Sequence, residues 1–305
     1  MDNCIEASID LGTNSALLLI AKKNGKKLEV LREELRICRI GEGTNRSGIL
    51  NDDAVNRTIK VLKEYKKIAE EYNASKIIVG ATSALRDAKN SNTFIKKVKE
   101  LLDINIQIIS GEEEALLTYY SAIQTFPSNA HSALVVDIGG GSTEFIIGKG
   151  DKIKDLKSLR FGSVRLTEEF IKNNPPSEKE IENLKESIIK HLSVLHKDSW
   201  RGDCLIGIAG TVTTVAQMIK RQENYIRSEI EGFEIGINEL TSLIDKIKSM
   251  TTEERMKLPG LHPARADVIV SGALILNEIM NYFGYDKALT STGGVRYGLL
   301  LRENF

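Results

Sequence analysis

The sequence predicts an α/β protein made of two related lobes, and three observations carry that reading. A strand-turn-strand segment occurs twice: Ser8-Ile9-Asp10-Leu11-Gly12-Thr13-Asn14-Ser15 with the apolar run 16–20 recurs, 127 positions later, as Val135-Val136-Asp137-Ile138-Gly139-Gly140-Gly141-Ser142 with the run 143–147. Around the two copies, short β-rich runs alternate with segments of helical periodicity, the pattern of an α/β fold. The length of 305 residues fits about two domains at ~150 residues each, both large enough to bury a core.

Taken in order, each copy of the repeat is followed by a Lys/Gly turn and a further strand, 27–31 and 152–156, so each reads as an antiparallel hairpin that continues into a third strand. Between the copies, Ala54, Val55, Ile59, Leu62, Tyr65, Ile68, Ala69 and Tyr72 recur at helical spacing behind an Asn51-Asp52 cap. A strand at 76–81, a helix at 93–102, a strand at 106–110 and a helix at 112–126 follow. The turn-like Pro127-Ser128-Asn129 marks a lobe junction and 173–176 a surface loop. The second half predicts helices at 164–172 and 178–196, strands at 204–208 and 230–235, helices at 237–250 and 265–283, a strand at 288–291 and a last helix at 295–302.

Composition narrows the function. The 42 Lys+Arg balance the 42 Asp+Glu, which excludes a broad basic face for duplex nucleic acid and a polybasic membrane anchor. Any polyanionic ligand must then be held by local contacts. With 41% hydrophobic and 28% charged residues the chain is globular, and no apolar run approaches the ~18 residues of a membrane span. Cys4, Cys38 and Cys204 are too far apart for a redox pair or a zinc cluster, and the N-terminus has no signal-peptide pattern, so a cytoplasmic protein is expected.

Five places carry candidate chemistry. The turns Gly12, Thr13, Asn14, Ser15 and Gly139, Gly140, Gly141, Ser142, Thr143 are small enough for several backbone N–H groups to converge on an anion. A plain hairpin turn is the alternative for either alone, but the duplication with the same preceding Asp favours two phosphate cradles facing each other. Asp10 and Asp137 put a carboxylate at each cradle, which repels phosphate unless a hard divalent cation such as Mg²⁺ intervenes. Glu144 can reach the same ion, whereas Leu17 stands at the matching place in the first copy. Ser110-Gly111-Glu112-Glu113-Glu114 opens a helix with three acids. The macrodipole and capping account for one or two of them, and a hydrolase acting on a phosphoanhydride needs one such carboxylate to position and deprotonate water.

Arg86 is expected at the start of a short helix, where a guanidinium opposes the dipole and a phosphate would offset the cost; a salt bridge is the alternative. Finally, Gly210-Thr211 and Ser291-Thr292-Gly293-Gly294 follow strands and lead into helices, a geometry that suits anions. Neither matches a P-loop or a dinucleotide fingerprint. The four histidines show no ligand spacing, His191 and His196 reading as a solvated helix face, and no aromatic platform for nucleic acid is present.

Together, 9–15, 82–90 around Arg86, 110–115, 136–144, Gly162-Ser163-Val164-Arg165-Leu166-Thr167-Glu168 and Gly210-Thr211 resemble the exopolyphosphatase / guanosine pentaphosphate phosphohydrolase (Ppx/GppA) family along the whole chain. The resemblance implies an actin-like ATPase fold: two ribonuclease-H-like lobes of mixed sheets with flanking helices around a central cleft. Lobe I would comprise 1–125 plus 293–305 and lobe II 126–292. Longer members add a C-terminal helical domain, which is not expected here because the sequence stops at Phe305. Carried over by position, Glu114 would be the catalytic base, Asp137 and Glu144 the Mg²⁺ ligands with Asp10 a further candidate, and Arg86 a contact to phosphate near the scissile bond.

Arg265 would be a second anion contact, although Ala264 stands where an acid is expected before it. The implied reaction is release of terminal orthophosphate from inorganic polyphosphate. Hydrolysis of guanosine pentaphosphate (pppGpp) is the alternative substrate reading. A non-enzymatic actin-like nucleotide-binding or filament protein is a remote one, and a sugar or acetate kinase fits poorly at this length. A homodimer is compatible with the resemblance, but no residue indicates one.

Overall fold

The structure, a computed structural model, describes residues 4–25, 27–126 and 132–302. The junction expected at 127–129 lies outside the described residues. Two compact units are present: unit 1 takes the chain up to Ser121 and again from Val295, and unit 2 runs Ala122–Gly294.

Unit 1 contains β1 (Ile5–Leu11), β2 (Ala16–Asn24), β3 (Lys27–Arg36), α1 (Thr44–Ser47), α2 (Asp52–Glu71), β4 (Ile77–Ala81), α3 (Ser83–Asp87), α4 (Ser91–Leu102), β5 (Ile106–Ile108) and α5 (Gly111–Thr125), the last crossing the unit boundary. Its sheet has the order β3-β2-β1-β4-β5, antiparallel among the first three strands and parallel from β1 to β5. Helix α2 starts where its cap predicts, with the Asn51 side chain accepting from the Ala54 N–H at 2.8 Å. One face of α2, Val55, Leu62, Tyr65 and Ala69, packs into a core with Ile9, Leu18 and Phe94.

Unit 2 contains β6 (Ser132–Ile138), β7 (Thr143–Lys149), β8 (Lys152–Leu159), α6 (Ser163–Phe170), α7 (Glu178–Leu192), α8 (Lys197–Trp200), β9 (Cys204–Ile208), α9 (Ala209–Lys220), α10 (Arg227–Ile230), β10 (Glu234–Gly236), α11 (Ile237–Lys248), α12 (Thr252–Arg255), a 3₁₀ turn (Pro263–Arg265), α13 (Ile269–Phe283) and β11 (Lys287–Thr290). Helix α14 (Val295–Leu301) then returns to unit 1, where the Ser8 hydroxyl donates to the Arg296 carbonyl at 2.6 Å and Arg296 pairs with Glu33 at 2.8 Å. The sheet order β10-β11-β9-β6-β7-β8 repeats that of unit 1, read backwards, with β10 added at one edge. Strand β6, flanked on both sides, is buried from Ala133 to Ile138, whereas the edge strand β8 presents Lys152, Lys154 and Lys157 to solvent.

The duplication extends to an irregularity. The β2/β3 ladder slips between Ile20 and Ala21, and the β7/β8 ladder slips between Ile147 and Gly148, again 127 positions on. The expected pair of mixed sheets with flanking helices is thus met.

Three local expectations change. The strand expected at 230–235 shortens to 234–236, because Gly232 turns the chain in the left-handed region at φ +76° and α10 takes up Ile230. The helix expected from 265 begins at Ile269. Arg265 belongs instead to a separate 3₁₀ turn that opens on Pro263 and is capped by the His262 ring. The strand expected to run to Ser110 ends at Ile108, and Ser110 caps α5, accepting from the Glu113 N–H at 3.0 Å.

Candidate active site

In unit 1 the first hairpin turn is closed by the Gly12 N–H donating to the Ser15 carbonyl at 2.9 Å. The loop after β3 holds the turn from one side: the Arg39 N–H donates to the Asn14 carbonyl at 2.9 Å and the Gly41 N–H to the Thr13 carbonyl at 3.0 Å. Gly41 must be small, since a Cβ there would lie 2.4 Å from the Thr13 methyl. Asp10 stands opposite Leu17 in the ladder and beside Gly80 of β4, so this hairpin supplies a single carboxylate.

The three acids at the start of α5 have three different environments. Glu112 is exposed, Glu113 pairs with Arg302 beyond α14, and Glu114 is buried at 6% exposure. Glu114 meets Arg86: the Arg86 Nη1 donates to the Glu114 Oε2 at 2.8 Å and to the Ile109 carbonyl at 2.9 Å. The expectation that Arg86 opens a helix is corrected, since it lies in the last turn of α3, where the dipole favours a cation. Two tethers align the pair: the Thr82 N–H donates to the Leu11 carbonyl at 3.1 Å and the Ile109 N–H to the Ala81 carbonyl at 3.0 Å, fixing α3 and the entry to α5 at one end of the sheet. The guanidinium thereby holds the buried carboxylate in one orientation.

In unit 2 the second turn closes in the same way, the Gly139 N–H donating to the Ser142 carbonyl at 3.0 Å. Asp137 and Glu144 stand directly opposite each other across β6 and β7, 6% and 0% exposed. Residues opposed in an antiparallel ladder share a face. Glu144 is therefore not the exposed strand acid that is its bland alternative; its Oε1 accepts from the Ser158 hydroxyl at 2.7 Å. Two hard oxygen donors side by side, both buried, repel each other unless a cation or a proton intervenes, and they fit a hard divalent ion. Among the described residues no group of three or more His, Cys, Asp or Glu side chains that could hold a metal ion occurs. The Thr143 hydroxyl is buried and donates to the Phe161 carbonyl at 2.7 Å.

Also in unit 2, Arg265 lies against the start of α9. A Cβ on Gly210 would sit 2.0 Å from the Arg265 Nη1, so only glycine admits the guanidinium. Arg265 is 8% exposed, donates to the Thr214 hydroxyl at 3.4 Å, and has no carboxylate within ion-pair distance among the described residues. Burial alone pushes its pKa down to about 10. Ala209, just before, holds φ +73°, a strained conformation for a residue with a side chain.

With that geometry in place, comparison with known proteins is decisive: the sequence pattern of the Ppx/GppA phosphatase family matches residues 19–304. The chain belongs to the Ppx/GppA phosphatase family. It is 38% identical, over 98% of its length, to the bifunctional 3-dehydroquinate synthase/phosphatase of Fusobacterium nucleatum, and it spans only 46% of that protein. Exopolyphosphatase 2 of Mycobacterium tuberculosis is 29% identical over 97% of both chains. The solved structure of the Aquifex aeolicus PPX-GPPA enzyme is 34% identical, with a TM-score of 0.83 over 98% of this chain and 99% of that one.

For this Ppx/GppA phosphatase, the geometry joins predicted residues within each unit: Arg86 with Glu114, Asp137 with Glu144, Arg265 with Gly210. Ser158 is a partner that sequence reading did not find. Its signal is weak, a hydroxyl on the third strand whose register position opposite Glu144 becomes visible only once the ladder is paired. His191, expected on a solvated face, instead packs on Phe161 with ring centroids 5.0 Å apart. No helix among the described residues is long and apolar enough to cross a membrane.

Proposed function

We propose that this phosphatase is an exopolyphosphatase that hydrolyses the terminal phosphoanhydride of inorganic polyphosphate and releases orthophosphate. The observation that carries the proposal is the buried Glu114 carboxylate fixed by Arg86 at 2.8 Å. A phosphoanhydride needs little covalent chemistry from a protein, only an in-line water, a base to receive its proton and positive groups for the transferring phosphoryl oxygens. Glu114 is the base: a carboxylate held in one orientation accepts the water proton as the oxygen attacks phosphorus. Arg86 orients that carboxylate and presents its remaining donors to phosphate.

Asp137 and Glu144 would hold the Mg²⁺, and Asp10 is the further candidate acid. When bound, the ion neutralises phosphate charge and makes the leaving phosphate a better leaving group. The N–H groups of the two turns bind non-bridging oxygens, and Arg265 with Gly210 and Thr211 adds a buried positive contact. A guanidinium that lacks a carboxylate partner within its own unit is poised for an anion that arrives with the substrate. Zero net charge is compatible with this, because backbone donors, one metal and two arginines suffice. The three free cysteines fit a reducing, cytoplasmic setting.

The test is steady-state phosphate release with Mg²⁺ from short polyphosphate, long polyphosphate and pppGpp. Polyphosphate is expected to be turned over with the higher kcat/KM. Equal or better turnover of the nucleotide overturns the choice in favour of a pppGpp phosphohydrolase. ATP-dependent light scattering with no phosphate release would point to the filament reading.

A further inference from the structure

The segment Gly162-Ser163-Val164-Arg165 belongs to the family pattern but has no part in the chemistry above. The first N–H groups of a helix usually serve a cap, water or an anion. At α6 they are committed to the second hairpin turn. The Ser163 N–H donates to the Gly139 carbonyl at 3.0 Å, and the Val164 and Arg165 N–H groups donate to the Gly140 carbonyl at 2.9 and 3.0 Å. The Arg165 side chain completes the set, its Nε donating to the Gly141 carbonyl at 2.9 Å. Three consecutive turn carbonyls are thereby drawn toward α6. In a planar trans peptide the N–H points opposite to the C=O, so the N–H groups of Gly140, Gly141 and Ser142 face away from α6 as a set. Gly162 permits the approach, since a Cβ there would lie 2.6 Å from the Gly140 carbonyl carbon and 2.7 Å from the Gly139 oxygen.

We propose that Arg165 is a positioning residue: with the start of α6, it fixes the three turn peptides so that the N–H groups of Gly140, Gly141 and Ser142 form one receptor for a phosphate group. This rests on the reading of that turn as a phosphate site. The backbone N–H bonds from α6 place the first two peptides, and the guanidinium places the third, the one that carries the Ser142 N–H. Unit 1 reaches a similar arrangement without a helix, the Arg39 and Gly41 N–H groups drawing the Asn14 and Thr13 carbonyls to one side. No side chain has the role of Arg165 in those two bonds.

The test is a titration of the ¹⁵N-labelled full chain with tripolyphosphate, following the amide resonances of Gly140, Gly141 and Ser142 in the wild type, Arg165→Met and Arg165→Lys. All three wild-type amides are expected to shift to saturation. Without ligand, Arg165→Met should move the Ser142 amide, because the 141–142 peptide has lost its carbonyl partner; a direct contact between Arg165 and phosphate would not do this. Its Kd for tripolyphosphate should rise at least about tenfold, with Arg165→Lys in between. An unchanged Ser142 amide and a wild-type Kd in Arg165→Met overturn the positioning role while the phosphate reading stands. Silent turn amides in the saturated wild type overturn both. Should Arg165→Met not fold, Arg165→Lys decides on the same two readouts: a wild-type Kd with an unmoved Ser142 amide overturns the proposal.

Discussion

The turn of unit 1 closes through Gly12 and Ser15 at 2.9 Å, and that of unit 2 through Gly139 and Ser142 at 3.0 Å; both precede a ladder that slips at the same relative position. Their side chains differ. Asp10 faces Leu17, and Asp137 faces Glu144. Among the described residues, unit 1 carries the Arg86–Glu114 pair, and unit 2 carries a buried acid pair and the Arg265 guanidinium over Gly210. The two copies share the backbone closure of the turn and the slip of the ladder, whereas the charged side chains around the turn differ between them. Under the proposed function, unit 1 supplies the base and unit 2 the metal acids.

Removing the base tests that division most severely. Glu114→Gln should lower phosphate release by about 10²–10⁴-fold, measured in steady state, with tripolyphosphate binding by calorimetry and the thermal midpoint retained. Turnover near the wild-type rate would move the base to Glu112 or Glu113, which their exposure and the Arg302 pairing make poor choices.

The acids come next. Asp137→Asn and Glu144→Gln should each raise the Mg²⁺ concentration for half-maximal rate by about 10–100-fold, whereas Asp10→Asn should raise it less. Equal effects at Asp10 and Asp137 would break the asymmetry between the copies.

A stability effect should follow at Gly298, on the helix that returns to unit 1. A Cβ there would lie 2.4 Å from the Leu117 carbonyl oxygen and 2.6 Å from the Leu117 Cβ, contacts that move α5 and with it Glu114. Gly298→Ala should cost about 1–3 kcal/mol in denaturant unfolding and reduce kcat. A neutral result would show that α5 does not depend on α14 for its position.

The smallest effect concerns His262, whose Nδ1 accepts from the Ala264 N–H at 3.2 Å and caps the turn that carries Arg265. Burial first, and the Arg265 charge second, hold its pKa below the ordinary 6.5. A depressed pKa means that the unfolded chain binds the proton more readily, so this contribution is present above about 6.5 and is lost as pH falls through the lower folded-state value. The fall of the thermal midpoint between about pH 7 and pH 5 should be shallower in His262→Asn, which can cap without titrating. Parallel curves would remove the cap from the list of pH-sensitive contacts.

What the sequence determined by itself was whatever depends on short-range rules. Glycine turns, alternating strands and the Asn51 cap of α2 act within a few residues, and the repeat made the pairing of each hairpin readable twice. Tertiary structure decided which member of a local cluster meets which distant partner. Glu112, Glu113 and Glu114 are equivalent to a helix dipole but about 100° apart around the helix axis, so packing alone turns one outward, one to Arg302 and one to Arg86, 28 positions away in sequence. It also took the strand signal from Ile230, set Arg265 on Gly210, and aimed the start of α6 at three carbonyls rather than at an anion. Local rules place turns and caps, whereas burial of charge against specific partners fixes what the side chains can do.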